Sequence, residues 1–328
     1  MNALAPGALI ARFRDPPGAQ PTWFDPQSLA VYALLVLAML VESSVVGLTD
    51  FELGHSHIVS NFLKLFPLLA LACAVRRLRF SRIAVLLESL SVLTIAGALA
   101  VTGTVLLAGI SGPFVDNWLD AADQTLGFNF IALLHLYRDH PDLAVASRWI
   151  YGTFILQLML VPVGVALFAP GRFWILAKAW IYCLLVAVLM FPLLPAAGPF
   201  VQYGIHQEMF PFMQRLYPWE TGPTIESLRS GAMRDVGLAA RGLVSIPSFH
   251  AAGGVLFAWA AWPSRWLRGP MLVLNCAMIA SAIITGSHYL VDLIAGIALA
   301  AGMLIVLTRR PHRHTAPRPA PVTPIPER

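Results

Sequence analysis

Eight apolar runs, most of them about the length of a bilayer-spanning helix, dominate the chain: 29–48, 58–75, 83–110, 146–169, 173–195, 248–263, 270–287 and 289–307. A hydrocarbon core of ~30 Å takes about 20 apolar residues per helix, and within it only helices or closed barrels satisfy their own backbone. The run at 248–263 is short, and the run at 83–110 is long enough to tilt or extend beyond the lipid. Of the 328 residues, 58% are hydrophobic and 12% charged, about half the usual charged share of a soluble domain. So few charges cannot cover a soluble surface of this size. The expected fold is an all-α polytopic membrane bundle of about eight transmembrane helices. A disordered chain, a collagen-like chain and a disulfide scaffold are excluded. Cys73, Cys183 and Cys276 lie in apolar stretches and read as packing residues.

The net charge is +5, but the basic residues fall between hydrophobic runs instead of forming a patch. This argues against a nucleic-acid partner and for a topological role. The first 28 residues are polar and Pro-rich. No small-residue cleavage site follows the first run, which reads as a retained span. With eight spans both termini share a side. Placing them in the cytoplasm leaves outside only Lys64, Arg138, Arg148, Arg215, Arg229, Arg234 and Arg241 of the 22 basic residues. The short connection Arg76–Arg82 carries the strongest vote. The expected organisation is a cytoplasmic segment 1–28, one membrane domain 29–308 with its catalytic core in 196–308, and a disordered cytoplasmic tail 309–328 rich in Pro and Arg. The expected location is the inner or plasma membrane.

Two motifs at the outer ends of the last three spans carry the chemistry. Ser245-Ile246-Pro247-Ser248-Phe249-His250 opens the sixth run. Proline suits a first helical turn, and the backbone N–H groups of Ser248, Phe249 and His250 would then form an anion site of the kind that binds phosphate. Gly286-Ser287-His288-Tyr289-Leu290-Val291-Asp292 joins the seventh run to the eighth. His288 and Asp292 are four apart and would share a helical face. A carboxylate holding one ring nitrogen leaves the other free as nucleophile or base, and an acid inside the membrane is a functional candidate by default.

Pro247-Ser248-Phe249-His250 and His288-x-x-x-Asp292 resemble the second and third signatures of the type 2 phosphatidic acid phosphatase superfamily. Ala295 and Gly296 resemble the small residues that close the third signature. Phe249 stands where that family usually has Gly, Ser281 is followed by Ala282 where it usually has Arg, and the first signature, a Lys with an Arg-Pro pair, has no match near the fifth run. This pattern is similar to the branch that contains inositol phosphorylceramide synthases and sphingomyelin synthases. The resemblance implies a lipid phosphatase or phosphotransferase. His288 would form a phosphohistidine, Asp292 would orient it, and His250 would serve as acid and base, with neither metal nor cofactor. The cations that usually hold the phosphate are missing, which leaves Arg229, Arg234 and Arg241, beside Ser248 and Phe249, as phosphate-binding candidates. The partner is then a membrane lipid, transferred or hydrolysed. A transporter or scaffold is the competing class.

The remaining polar residues read more plainly. Residues 111–145 suggest a helix in the outer interface, with Asp116, Asp120 and Asp123 as a solvated face. His55 and His57 read as a solvated turn. Glu42 and Lys64 are placed to pair or to snorkel, and Glu88 has no evident partner.

Overall fold

The computed structural model describes residues 14–15, 22–25, 27–52, 57–206, 208, 219–239 and 242–309. His55, Arg215, Arg241 and residues 310–328 of the tail lie outside the described residues. The longer elements of the described residues are all helices: α1 Ser28–Leu48, α2 His57–Arg77, α3 Ser81–Ala108, α4 Asp116–Thr125, α5 Phe130–Asp139, α6 Pro141–Phe168, α7 Phe173–Met190, α8 Thr221–Arg229, α9 Phe249–Ala261, α10 Arg268–Ile284 and α11 Leu290–Thr308. Each of the eight apolar runs is a helix. Five segments, Ser28–Leu48, Ser81–Ala108, Pro141–Phe168, Pro170–Met190 and Leu290–Thr308, are long and apolar enough to cross a membrane. Among the others, α9 has only 13 residues and α10 only 17.

The core is organised around α9, which packs against α6, α7, α10 and α11. In lipid, apolar side chains gain little by leaving their surroundings, so helices associate through close packing of small residues. The run Ala251-Ala252-Gly253-Gly254 supplies that surface and is fully buried. A Cβ on Gly253 would lie 2.5 Å from the Phe154 ring of α6, and one on Gly254 would lie 2.9 Å from Met278 of α10. A second hub, α3, packs against α1, α2, α6 and α7. By contrast, α1 leaves Leu29, Val36, Leu37, Leu40 and Val41 exposed, as a lipid-facing helix does.

At the end of α3 that meets α2 the structure supplies the partner that Glu88 lacked in sequence. A turn at Leu78–Arg79, with Arg79 at φ 70°, reverses α2 into α3. It brings the Arg76 guanidinium onto the Glu88 carboxylate, and Tyr32 of α1 donates to the same carboxylate at 3.1 Å. Arg76 and Glu88 are 7% and 0% exposed, so this cation is a buried tie between helices and not a solvated loop charge. Removing one partner of a buried pair strands the other charge. Arg76→Ala is therefore expected to destabilise the bundle by ~3–5 kcal/mol, and Arg82→Ala, at an exposed position, by no more than ~0.5 kcal/mol. Thermal unfolding in detergent checks the pair.

Candidate active site

The site is assembled on the first turn of α11. Asp292 is the third residue of that helix and fully buried. Its Oδ2 accepts the Tyr289 N–H at 2.9 Å and the Ser245 hydroxyl at 2.5 Å, and its backbone carbonyl accepts the Ser248 N–H at 3.0 Å. The two sequence motifs are thus tied through one residue. Gly296, one turn further on, explains the small residue in the motif. A Cβ there would sit 2.1 Å from the Ser248 carbonyl oxygen, so the start of α9 can lie against α11 only because that side chain is absent.

Two expectations about these motifs change. His288 is not on a helix with Asp292. It precedes α11, whose first residue is Leu290, and Asp292 reaches it because an acid at the third helical position turns back over the helix start. The separation from His288 Nδ1 to Asp292 Oδ2 is 3.6 Å, beyond a hydrogen bond and ionic only when the ring is protonated. The nearer partner of Nδ1 is the Ser245 carbonyl oxygen at 3.1 Å. A carbonyl only accepts, so the proton of the neutral ring resides on Nδ1 and the lone pair on Nε2. Nε2 lies 3.3 Å from the Ser248 hydroxyl. The second change concerns the helix start. Pro247 lies before the first turn of α9, in a cis peptide with Ile246, and Ser248 is the N-cap. The Ser248 amide is engaged by Asp292, and the Ala251 amide by the Ser248 hydroxyl at 3.3 Å. Of the proposed anion site, only the amides of Phe249 and His250 remain uncommitted among the described residues.

His250 is the second residue of α9. Its ring stacks on Tyr151 of α6, with centroids 4.5 Å apart, and lies 4.6 Å from Phe154. Its Nδ1 is 3.2 Å from the Tyr151 hydroxyl. The rings of His250 and His288 are 6.0 Å apart, wide enough for one tetrahedral group to meet both. Both histidines line a cavity of about 570 Å³, together with Ser245, Ser287 and Phe249. Gly97 and Val101 of α3, Leu158 of α6, and Trp180 and Leu184 of α7 form its apolar wall.

The acidic face of α4 is not solvated. Asp116 and Asp123 are 4% and 2% exposed. Asp116 accepts the Ala197 and Gly198 amides at 2.9 and 2.8 Å and the Tyr289 hydroxyl at 2.8 Å. Asp123 accepts the Leu290 and Val291 amides, both at 2.8 Å, and so caps α11. Burial pushes the Asp123 carboxyl above the usual carboxylate range while these two amides draw it back. Asp120 accepts from Tyr203, whose phenol burial and that carboxylate push up to about 12. Free amides at a helix start attract carboxylates, and the seven-residue spacing of Asp116 and Asp123 puts both on one face of α4. That spacing, beside apolar Leu119, was the available signal. Tyr151, 99 residues before His250, left none.

The arginines are placed differently from the histidines. Arg229 donates to Ser111 at 3.0 Å, to Glu226 at 2.6 Å and to the Gly112 carbonyl, and lies over the Phe114 ring. It ties α8 to the segment after α3. Arg234 donates to the Gly231 carbonyl at 3.1 Å and faces Asp50 at 3.5 Å. Neither lines the cavity, and no Lys or Arg does so among the described residues.

A family model described as the PAP2 superfamily matches residues 117–306, from α4 to the last turns of α11 and more than half of the chain. The chain belongs to the PAP2 superfamily. It is accordingly a phosphatase-type membrane enzyme, and the match takes in both motifs while leaving α1 to α3 outside. No curated protein and no solved structure was found to match the chain.

Proposed function

We propose that this PAP2 protein cleaves or transfers a phosphoryl-linked headgroup on a membrane lipid, at the outer face, through a phosphohistidine on His288. The observation that carries the reading is that the Nε2 lone pair of His288 and the ring of His250 meet at the polar end of one largely apolar cavity. His288 Nε2 attacks phosphorus, and the departing alkoxide takes a proton from His250. In the second step an incoming hydroxyl gives its proton to His250 as its oxygen attacks, and the N–P bond breaks. Asp292 favours the cationic ring that the first step creates, from 3.6 Å. The amides of Phe249 and His250 bind the phosphoryl oxygens. Arg241 directly precedes the cavity-lining Gly242 and is the remaining arginine candidate.

Transfer of a phosphodiester headgroup is favoured over hydrolysis of a phosphate monoester or polyprenyl diphosphate. A diester carries one negative charge, and the described cavity wall offers no fixed cation to balance more. The resemblance to the inositol phosphorylceramide and sphingomyelin synthase branch, carried by Phe249 and by Ala282 after Ser281, points the same way. Placement at the outer face rests on the basic residues. Arg76–Arg82 lie at one end of α3, and Thr104 at its other end lines the cavity. With 13 residues α9 spans ~20 Å, short of the ~30 Å core. With Trp262, Arg265, Trp266 and Arg268 anchoring its inner end, the histidines sit below the outer surface.

The test is purified protein in detergent offered phosphatidate, undecaprenyl diphosphate or phosphatidylinositol, each with and without ceramide or diacylglycerol. The expected product is a new phospholipid that appears only with the second lipid. Free phosphate from phosphatidate or from the diphosphate would instead establish the hydrolase. EDTA is expected to leave turnover unchanged, because the nucleophile, acid and base are all side chains. Loss in EDTA that a divalent ion restores would reject the mechanism.

A further inference from the structure

We infer that Tyr151 of α6 is a positioning residue that acts through His250, setting which of its ring nitrogens exchanges protons with the reacting oxygen. The inference rests on the acid–base role given to His250 above.

The geometry carries it. Tyr151 touches both motifs: its hydroxyl is 3.2 Å from His250 Nδ1 and within hydrogen-bonding reach of Ser287, the residue before His288. With Nδ1 engaged by the phenol hydroxyl, Nε2 is the nitrogen that gives a proton to the leaving oxygen and takes one from the incoming hydroxyl. The same ring fixes orientation. Tyr151 stacks on the imidazole with 24° between planes, and Phe154 closes on it at 47°, so the imidazole is held between two aromatic rings of α6. A side chain on α9 alone would lack that constraint, because no other hydrogen-bond partner of His250 is present among the described residues. Both Tyr151 and His250 line the cavity.

The test compares Tyr151→Phe, which keeps the stacked ring and removes only the hydroxyl, with His250→Ala and the double variant. Two substrates are used: the phospholipid that the wild type turns over fastest, and hexadecyl 4-nitrophenyl phosphate, whose nitrophenolate leaves without needing a proton. Tyr151→Phe is expected to lower kcat on the phospholipid about tenfold, a share of the gain from acid–base catalysis, with KM nearly unchanged and a smaller loss on the nitrophenyl ester. In the His250→Ala background it is expected to cost nothing further, as residues acting as a unit do. Equal losses on the two substrates, losses that multiply onto those of His250→Ala, or full activity would each overturn the inference. If His250→Ala itself fails to discriminate between the substrates, the acid–base reading falls first, whatever Tyr151→Phe does.

Discussion

His288→Ala is expected to abolish turnover, lowering kcat by on the order of 10⁴ or more, as loss of a nucleophile does in enzymes that form covalent intermediates. The residue is 3% exposed; Nδ1 is engaged by the Ser245 carbonyl, and in the proposed mechanism Nε2 is the atom that attacks phosphorus. The Ser248 hydroxyl near Nε2 is itself engaged in capping α9. Asp292→Asn isolates the charge. Oδ2 accepts two bonds while Oδ1 is buried with no partner among the described residues. An asparagine can therefore keep its oxygen towards Ser245 and Tyr289 and turn its nitrogen to the empty side. The fold survives, but the negative charge 3.6 Å from Nδ1 is lost. The expected cost is on the order of 10²–10⁴ in kcat, by analogy with other histidine-orienting acids. Rapid acid-free quenching of enzyme with ³²P-labelled lipid is expected to trap a base-stable, acid-labile label on the wild type and none on His288→Ala. Wild-type turnover in that variant would sink the mechanism.

Gly286→Ala is expected to be among the most damaging substitutions that remove no functional group. Gly286 has φ +68°, a conformation that L side chains rarely adopt. A Cβ there would also lie 1.8 and 2.0 Å from two carbons of the Phe200 ring. Phe200 cannot step aside. It is fully buried, stacked on Trp219 at 4.9 Å and edge-on to Phe130 at 5.7 Å. Backbone strain of roughly 1 kcal/mol and overpacking of ~1–3 kcal/mol or more would act together, two residues before His288. The expected result is a fall in thermal stability in detergent together with loss of turnover. Gly302→Ala is the comparison. That helical position of α11 has open space around it, and alanine there should stabilise by up to ~1 kcal/mol through propensity. Equal behaviour of the two variants would show that the Phe200 packing is not rigid.

The eight helices were legible in the sequence because lipid allows a spanning segment little choice: it must be apolar along its length and must satisfy its own backbone. The ionisable residues of the two motifs stood out for the same reason, since an acid or an imidazole in such a segment is costly unless it is used. Their arrangement was not legible. Sequence spacing alone suggested a shared helical face for His288 and Asp292, whereas the contact is made by an acid folding back over the start of α11, with the Ser245 carbonyl from another segment closer to the ring. The acids of α4 looked solvated because a helical wheel does not know what covers it. They are buried because the Ala197–Gly198 turn and the first turn of α11 bring otherwise unpaired amides to them. Proximity in sequence also made Arg229 a phosphate ligand, but its donors are taken by Ser111, Gly112 and Glu226. Tyr151 was invisible, because nothing local distinguishes one tyrosine in an apolar helix from another. Membrane architecture and the identities of the candidate groups are written in local composition and periodicity. Which nitrogen carries a proton, which acid caps which helix and which arginine is already occupied depend on contacts between segments up to 173 residues apart, and those exist only once the helices have packed.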